Sequence, residues 1–498
     1  MNRDYYNNGC IYSSGNISPN GDMMPPFDTA PSSVREKEGT APDFLLQKSG
    51  AVPPFSPASC PHSPIHPLTG KTISDSIPAV SRKVTTMISV EDALKTILTA
   101  ISPLGLEKVN ILDALGRVIG EDVYAGRAIP PKDNSAMDGY ALRAADTCSA
   151  SETTPAILEV VEDIPAGTIP EKRIEPGQAA RIMTGAPVPE GADAVVRMED
   201  TRKEGRQVAI LVAAKHGQDI RLAGEDVQSG EKVISRGEVI RPAEIGMLAS
   251  LGRSFISVYQ RPLVAIVATG DELTDIDETP SPWKIVSSNS YSLAALVLNC
   301  GGVPMQMGIA KDRREDLVAK FQAARRADLI VSSGGVSVGD YDLVKEVMQE
   351  KENRMQFWRV AMKPGRPLAF GRLGDVPCVG LPGNPVSAMV SFEQFIRPAI
   401  LKMMGHVNLF RRTIQARLGE EINKKSGIRH FLRARIQKDG DLYTVVTTGD
   451  QGSGILKSMV RANGLIIFPE EMTTVRAGGM VTVQLIDDSL DFTQEPSY

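Results

Sequence analysis

The fold class is decided by the stretch Leu263-Val264-Ala265-Ile266-Val267-Ala268, which runs directly into Thr269-Gly270-Asp271-Glu272. An uninterrupted apolar run that ends in a glycine turn is typical of a strand buried on both faces of a parallel sheet. Leu329-Ile330-Val331 repeats the arrangement and leads into Ser333-Gly334-Gly335. We therefore expect two strands of one sheet, each with a polar loop at its carboxyl end.

The segments around these two strands alternate in type. Helix patterns cover residues 291–300 and 314–327, and a further strand pattern covers residues 303–309. Strands and helices that alternate at this spacing predict an α/β domain, a parallel sheet with helices on both faces, over residues 261–407.

On either side of the α/β segment the pattern is β-like. Residues 111–260 mix short strand patterns with many Gly and Pro turns, which favours small β-rich modules. Residues 408–490 return to strand alternation and predict a small β-barrel or sandwich. Ser89, with the acidic Asp92 three residues later, predicts the start of the first helix.

The first 86 residues differ from the rest of the chain in composition. They are dense in Pro, Ser, Gly and Asn and have no sustained apolar periodicity, which is typical of a disordered segment. We expect a disordered extension over residues 1–86, with a regulatory or docking tail as the alternative. Ordered pattern begins directly after Met87, which makes Met87 a candidate for the natural start.

The bulk composition excludes several classes of function. The chain has 498 residues and a formal net charge of −5, so it implies several domains and creates no positive field for nucleic acid or an anionic membrane. No apolar run reaches the roughly 18 residues that a membrane span needs. Five scattered cysteines without a CxxC pair indicate free thiols in a reducing cytoplasm.

Three loops fall at one edge of the predicted sheet, where ligands of such sheets bind. They cover residues 269–272, 333–342 and 380–387. Glycines let backbone N–H groups approach an anion, and the start of a helix adds partial positive charge. One such turn is an ordinary connection, but three at one edge predict a site. The loop residues that we expect to bind the ligand are Gly270, Asp271, Ser333, Gly334, Gly335, Ser337, Pro382, Gly383 and Asn384.

Charged side chains of both signs accompany these loops. The acids cluster at the predicted edge and would repel an anionic ligand unless a hard cation such as Mg²⁺ lay between them; helix caps or solvated turns are the alternative. Lys363 and Arg366 flank a Pro-Gly turn and suit a tetrahedral oxyanion or a phosphate, although two cations at a turn are most often solvated. The acids are Asp271, Glu272, Asp312, Asp340 and Asp342, of which Asp340 is the expected bystander.

Six motifs occur in a fixed order along the chain. They are NSAMDGYA (134–141), RIMTGAPVPEGADAVV (181–196), ATGDEL (268–273), SGGVSVGDYD (333–342), MKPGRP (362–367) and GLPGNPVSAMVSF (380–392). Together they resemble the MoeA family of molybdopterin molybdenumtransferases, known in animals as the gephyrin E domain. The resemblance runs from about residue 88 to about residue 488.

This resemblance implies a four-part subunit and a reaction. The parts are a central region from residues 87–130 and 226–260, an inserted β-rich domain of residues 131–225, the α/β domain, and a C-terminal barrel. The resemblance also implies a cytoplasmic homodimer, with an active site between the α/β domain of one subunit and the inserted domain of the other. Adenylylated molybdopterin and molybdate would react there with the help of Mg²⁺, yielding molybdenum cofactor and AMP.

Carried over by motif, Asp342 resembles the essential acid, and Glu272 and Asp312 resemble its partners around Mg²⁺. Asp138 and Thr184 match positions that reach in from the neighbouring subunit. The family's oxyanion contacts match Lys363, Arg366, Arg433 and Ser453. Arg366 departs from the family's usual lysine, which leaves its role open.

Other assignments remain open at this point. A pterin adenylyltransferase would share the α/β domain, but would not explain the inserted region or the β-rich C-terminus. A scaffold of the gephyrin type and a tungstate-specific relative are further alternatives. The upstream adenylyltransferase and molybdoenzymes are possible partners.

Overall fold

The computed structural model describes residues 87–279, 281–335, 355–440 and 442–492. The predicted disordered extension of residues 1–86 lies outside these ranges, as do Ser337, Asp340 and Asp342. None of the helices in the described ranges is long and apolar enough to cross a membrane.

The helices of the described residues are short. They are α1 (Val90–Ala100), α2 (Pro242–Ser250), α3 (Ser288–Asn299), α4 (Arg314–Ala324), α5 (Pro385–Ser391), α6 (Arg397–Met403) and α7 (Leu456–Val460). A π-helical turn, Phe392–Ile396, joins α5 to α6.

Strands make up most of the remaining regular structure. Before residue 261 they are β1 (Met87–Ile88), β2 (Leu106–Asn110), β3 (Val123–Tyr124), β4 (Asn134–Ser135), β5 (Gly139–Leu142), β6 (Ala156–Ile164), β7 (Gln178–Ile182), β8 (Ala194–Arg197), β9 (Thr201–Glu204), β10 (Gln207–Ile210), β11 (Ile220–Arg221), β12 (Lys232–Ile234) and β13 (Phe255–Tyr259). Then follow β14 (Leu263–Thr269), β15 (Leu273–Thr274), β16 (Ile285–Val286), β17 (Val303–Ala310), β18 (Leu329–Ser333), β19 (Gln356–Val360), β20 (Met362–Lys363), β21 (Pro367–Leu373) and β22 (Val376–Leu381). The last strands are β23 (Thr413–Leu418), β24 (Ile422–Asn423), β25 (Arg429–Asp439), β26 (Leu442–Thr447), β27 (Gly464–Phe468), β28 (Thr474–Val475) and β29 (Met480–Leu485).

The largest sheet has seven strands in the order β1-β19-β21-β22-β18-β14-β17. Its strands β17, β14, β18 and β22 run parallel, as the sequence predicts. In contrast, β21 is antiparallel to both of its neighbours, so the whole sheet is mixed. The parallel part brings the carboxyl ends of β14, β18 and β22 to one edge.

Helices cover this sheet on both faces, which confirms the sequence prediction. Buried side chains of α1, α3, α5 and α6 form a core on one face. Leu317, Phe321 and Ala324 of α4 form the core of the other face. The start of α1 is also as predicted, since the Asp92 N–H donates to the Ser89 hydroxyl at 3.0 Å.

Residues between β4 and β11 form a separate six-stranded sheet in the order β8-β5-β7-β6-β10-β9. Each of its two faces has an apolar cluster of its own. Alternation along β5, β7 and β8 sends successive side chains to opposite clusters. This sheet carries the NSAMDGYA and RIMTGAPVPEGADAVV segments.

The C-terminal part is a closed barrel of five strands in the order β25-β26-β23-β29-β27, with β27 paired back to β25. The short strand β20 from the α/β part adds to β25 in parallel. Lys363, on β20, therefore lies beside His430 of the barrel. This pairing ties the MKPGRP turn to the barrel as well as to the seven-stranded sheet.

Candidate functional site

Three loops meet at the carboxyl ends of β14, β18 and β22. The Gly334 N–H donates to the Leu381 carbonyl at 3.1 Å, and the Thr269 hydroxyl donates to the Ser333 carbonyl at 3.4 Å. Gly334 has a positive φ, and a Cβ there would lie 2.7 Å from the Thr269 carbonyl oxygen. Only glycine allows this approach of two backbones, so the Ser-Gly-Gly turn is required by the way the loops pack.

Asn289, in the first turn of α3, links two of these loops. Its Nδ2 donates to the Ser333 hydroxyl at 2.7 Å and to the Gly383 carbonyl at 2.8 Å. A carbonyl can only accept, so these bonds fix the orientation of the amide. Its Oδ1 is buried without a hydrogen-bond partner among the described residues. Asn289 was not among the predicted site residues, because its only signal in the sequence is a polar side chain at a helix start near the predicted edge.

Two of the predicted acids lie together at the same edge. The Asp312 N–H donates to Asp271 Oδ1 at 3.1 Å, while the Glu272 carboxylate folds over Gly270, whose φ is +141°. No group of three or more His, Cys, Asp or Glu side chains in the described ranges is placed to hold a metal ion. The third predicted ligand, Asp342, lies outside those ranges.

An open cavity of about 840 Å³ lies between the α/β part and the barrel. Its lining contains the predicted residues Lys363, Arg366, Asn384 and Ser453, to which the structure adds others. The lining residues that were not among the predicted ligand-binding residues are Met362, Pro364, Gly365, Pro367, Ser387, Ile428, Asp450, Gln451 and Gly452.

The barrel wall of this cavity is bonded to the start of α5. Asn384 Nδ2 donates to the Ser453 hydroxyl at 3.1 Å, and the Val386 N–H donates to the Ser453 carbonyl at 3.1 Å. On the opposite wall, Gly365 has φ +96°, and a Cβ there would collide with the Ser391 hydroxyl. The Pro-Gly turn therefore keeps its compact form, with Lys363 and Arg366 on the same cavity.

Arg433 lies behind the cavity wall rather than on it. Its side chain is among the largest that are fully buried, with Nε donating to the Ser458 hydroxyl at 3.0 Å and Nη2 to the Gly452 carbonyl at 3.1 Å. Burial lowers the pKa of Arg433 to about 10, with the nearby Asp450 acting in the opposite direction. The guanidinium is thus still charged at neutral pH and braces the turn that carries Ser453.

His430 is a second buried group of this region. Burial lowers its pKa to about 4, and the positive charges of Lys424 and Lys363 act in the same direction. The imidazole is therefore neutral at pH 7. Lys363 thus has an uncharged neighbour on β25, which leaves its positive charge uncompensated from that side.

Asp138 and Thr184 form one unit on the six-stranded sheet. Asp138 Oδ1 accepts from the Thr184 N–H at 2.7 Å and from the Thr184 hydroxyl at 2.8 Å. These two hydrogen bonds hold the pKa of Asp138 below its usual range. Both residues are exposed, and neither lines the cavity at Lys363. The sequence predicted both residues for one site, and the structure places them within hydrogen-bond distance of each other.

Family models match almost all of the described chain. Residues 88–252 match the MoeA N-terminal region (domain I and II), residues 265–402 a probable molybdopterin binding domain, and residues 415–486 the MoeA C-terminal region (domain IV). The chain belongs to the MoeA family.

Individual relatives agree with the family assignment. The chain is 42% identical over 385 residues to molybdopterin molybdenumtransferase 2 of Mycobacterium tuberculosis, covering 75% of this chain and 94% of that one. It is 36% identical to the molybdopterin molybdenumtransferase of Nostoc sp., covering 80% and 94%. A crystal structure of the molybdopterin biosynthesis MoeA protein of Pyrococcus horikoshii is 31% identical with a TM-score of 0.70, covering 80% of this chain and 99% of that one.

Proposed function

We propose that this protein inserts molybdate into adenylylated molybdopterin, with release of AMP, as a step of molybdenum cofactor biosynthesis. Family membership and relatives named molybdopterin molybdenumtransferase support the assignment. The observation that carries the chemistry is the cavity at Lys363 and Arg366, because an acidic chain places two cations there against the one carboxylate of the lining, Asp450, beside hydroxyl and amide donors.

The cavity suits molybdate as a substrate. Molybdate is a tetrahedral dianion, so two cations can balance its charge while Ser387, Ser453 and Asn384 offer donors to its oxygens. The dithiolene sulfurs of the pterin would take up the molybdenum. The oxygen that they replace on molybdate would leave as water, and a water molecule would attack the pyrophosphate link so that AMP is released, which requires no nucleophilic side chain.

The pterin nucleotide would bind along the neighbouring sheet edge. Glycine-rich turns after β14 and β18 present backbone N–H groups to phosphate oxygens. The unpartnered Asn289 Oδ1 is an acceptor that an N–H group of the ligand could satisfy. Bound there, the nucleotide would extend toward Lys363, because the Gly383-Asn384 loop belongs to both surfaces.

We propose that Mg²⁺ binds at the acids of this edge. Asp271 and Asp312 are adjacent, and carboxylate oxygens are the ligands that Mg²⁺ prefers. With Asp342, the residues Glu272 and Asp312 would hold it. When bound, Mg²⁺ would neutralise charge on the phosphate that leaves as AMP. The role of these acids would be to hold the ion beside the phosphates of the nucleotide.

We further propose a homodimer in the cytoplasm, with Asp138 and Thr184 completing the site of the neighbouring subunit. Their exposure on the six-stranded sheet is compatible with contact to a second copy. The upstream adenylyltransferase and molybdoenzymes are the partners expected from the reaction. Tungstate, nearly equal in size and charge, is the alternative substrate, and a gephyrin-type scaffold is the alternative role.

AMP release tests this proposal. Purified protein is incubated with adenylylated molybdopterin, Mg²⁺ and molybdate or tungstate, beside Lys363→Ala and Asp342→Asn variants. We expect molybdate-dependent AMP release that falls roughly 10²–10³-fold in Lys363→Ala, the usual loss for one oxyanion contact. Replacing the exposed Lys438 of the same barrel by alanine is the matched control. Bound pterin nucleotide without AMP release with either oxyanion would overturn the enzyme assignment.

A further inference from the structure

A second cavity, of about 310 Å³, lies between residues 115–118 with the end of β13 on one side and the helices α3 and α6 on the other. It shares no residue with the cavity at Lys363. Its lining is Leu115, Gly116, Arg117, Val118, Tyr259, Arg261, Leu298, Asn299, Cys300, Gly301, Arg397, Leu401, Met404 and His406. Three arginines and no carboxylate line this space. We propose that it binds a phosphate-class dianion, either free phosphate or a phosphate monoester.

Arg117 has an incompletely satisfied guanidinium. Its side chain is only 9% exposed. Its Nη2 donates to the Glu107 carboxylate and to the Tyr259 carbonyl, but its Nε is buried with no hydrogen-bond partner in the described ranges. Glu107 itself is 41% exposed, so solvent screens this ion pair. An anion in the adjoining cavity would give this Nε an acceptor.

Arg397 also lacks a carboxylate of its own. The Glu393 carboxylate is 3.7 Å from Arg397 Nε but 2.9 Å from Arg411 Nε, so one acid serves two guanidinium groups. Burial and the charge of Arg411 lower the pKa of Arg397, and Glu393, Cys300 and Asp488 offset this only in part. This is the signature of a cation that is short of negative charge, and a dianion would supply it.

Arg261 is the solvent-accessible arginine of the cavity lining. Arg261 is exposed, and no ion pair of Arg261 occurs in the part of the chain that the structure describes. Its guanidinium can therefore rotate onto a ligand that enters. The guanidinium group of arginine can donate two parallel hydrogen bonds to a phosphate. We therefore expect Arg117 and Arg397 to hold the dianion and Arg261 to bind it from the solvent side.

The remaining polar groups are neutral donors. Burial raises the pKa of the Cys300 thiol to about 11. Burial, followed by the charge of Arg397, lowers the pKa of His406. Leu115, Leu298 and Met404 add an apolar side to the cavity, which provides room for the organic part of a monoester.

Calorimetric titration of full-length protein with sodium phosphate at constant ionic strength tests the proposal. The Lys363→Ala/Arg366→Ala double variant is used as background, so that an oxyanion bound in the first cavity does not contribute. We expect one site per chain, weakened roughly tenfold or more by Arg261→Ala, the loss of one charge-assisted contact. Arg261→Lys should lose less, and Arg253→Ala, an exposed arginine outside the cavity, should lose nothing.

A second titration identifies the form of the ligand. Tighter binding of phenyl phosphate than of inorganic phosphate assigns the site to a monoester, and the reverse order assigns it to free phosphate. In either case phosphate should raise the pKa of His406, followed by NMR and assigned with His406→Gln. No saturable heat, or equal affinity with and without Arg261, would overturn the proposal, and neither result depends on transferase activity.

Discussion

At the residue scale, the neutral state of His430 is the sharpest consequence of the packing around Lys363. The folded protein holds the pKa of His430 at about 4, against an ordinary value of 6.5. In the unfolded chain the imidazole takes up its proton first as the pH falls. The contribution of neutral His430 to the free energy of unfolding is therefore complete above about pH 6.5. This contribution is lost progressively as the pH falls to about 4.

We expect this residue to account for about 3 kcal/mol of acid sensitivity, at about 1.4 kcal/mol per pH unit of displacement. Chemical denaturation of wild-type protein and His430→Gln from pH 8 to pH 4 measures it. The difference at pH 8 reports packing alone and serves as the reference. A wild-type slope that persists unchanged in the variant would assign the acid sensitivity to other groups, such as His406.

Asn289 shows that a sequence pattern does not reveal contacts between residues that are distant along the chain. The motifs around Ser333 and Gly383 are separated by many residues from Asn289, and only the fold brings them within hydrogen-bond distance. Arg433 shows the converse: its motif was located, but the sequence could not tell a side chain on the cavity from one behind its wall. Tertiary packing decides both cases.

At the scale of elements, periodicity predicted most of the α/β part. The strands at β14, β17 and β18 and the inward side chains of α4 follow from apolar runs and the 3.6-residue period. The antiparallel β21 was not predicted, because an apolar run of this length is equally compatible with either direction. The addition of β20 to the barrel could not be predicted either, since a two-residue strand has no periodicity.

The turn of residues 449–453 leads to a prediction at the scale of elements: it concerns how the barrel positions Ser453 in the site. The Ser458 hydroxyl of α7 accepts from Arg433 Nε, and Arg433 in turn holds the Gly452 carbonyl. If this chain of contacts positions Ser453, removing the buried Ser458 hydroxyl should weaken the contact between Ser453 and the oxyanion, although Ser458 itself does not make that contact. We expect Ser458→Ala to raise KM for molybdate by about tenfold, the loss of one such hydrogen bond, and to leave KM for the pterin nucleotide unchanged.

The matched control for Ser458→Ala is Thr482→Ala, which removes a hydroxyl that accepts from Gln415 on the exposed side of the barrel. Both variants should stay folded, as judged by circular dichroism. Equal changes in the two KM values, or the same change in Thr482→Ala, would make Arg433 and Ser458 general supports of the barrel. A fall in kcat alone would instead favour a direct contact of Arg433 with the reacting oxyanion.

At the scale of the whole molecule, positive charge is local. The chain is acidic overall, yet the cavities at Lys363 and at Arg117 are each lined by more cations than carboxylates. Long-range attraction therefore contributes little to anion capture, and the short-range contacts must supply the affinity. The Asp138–Thr184 unit is on a different sheet from the loops that it was predicted to serve, and in the proposed homodimer a second copy of the chain would bring it to them.

Subunit complementation tests whether the two surfaces meet across a dimer. Asp138→Asn and Lys363→Ala are expected to be inactive alone, since each damages every site of its own homodimer. If Asp138 serves the partner's cavity, a mixed dimer has one site with both defects and one with neither. Random mixing should then restore roughly a quarter of wild-type AMP release, because half of the dimers are mixed and each has one intact site.

The control for complementation is a mixture of Arg366→Ala with Lys363→Ala. These two residues line the same cavity of one chain, so every site of their mixed dimer is damaged once and activity should stay at background. If Asp138 instead acts on its own subunit's cavity, the Asp138→Asn mixture behaves like this control. Restored activity in the first mixture alone therefore requires a shared site, because only a trans contact can place both defects on one active site and spare the other.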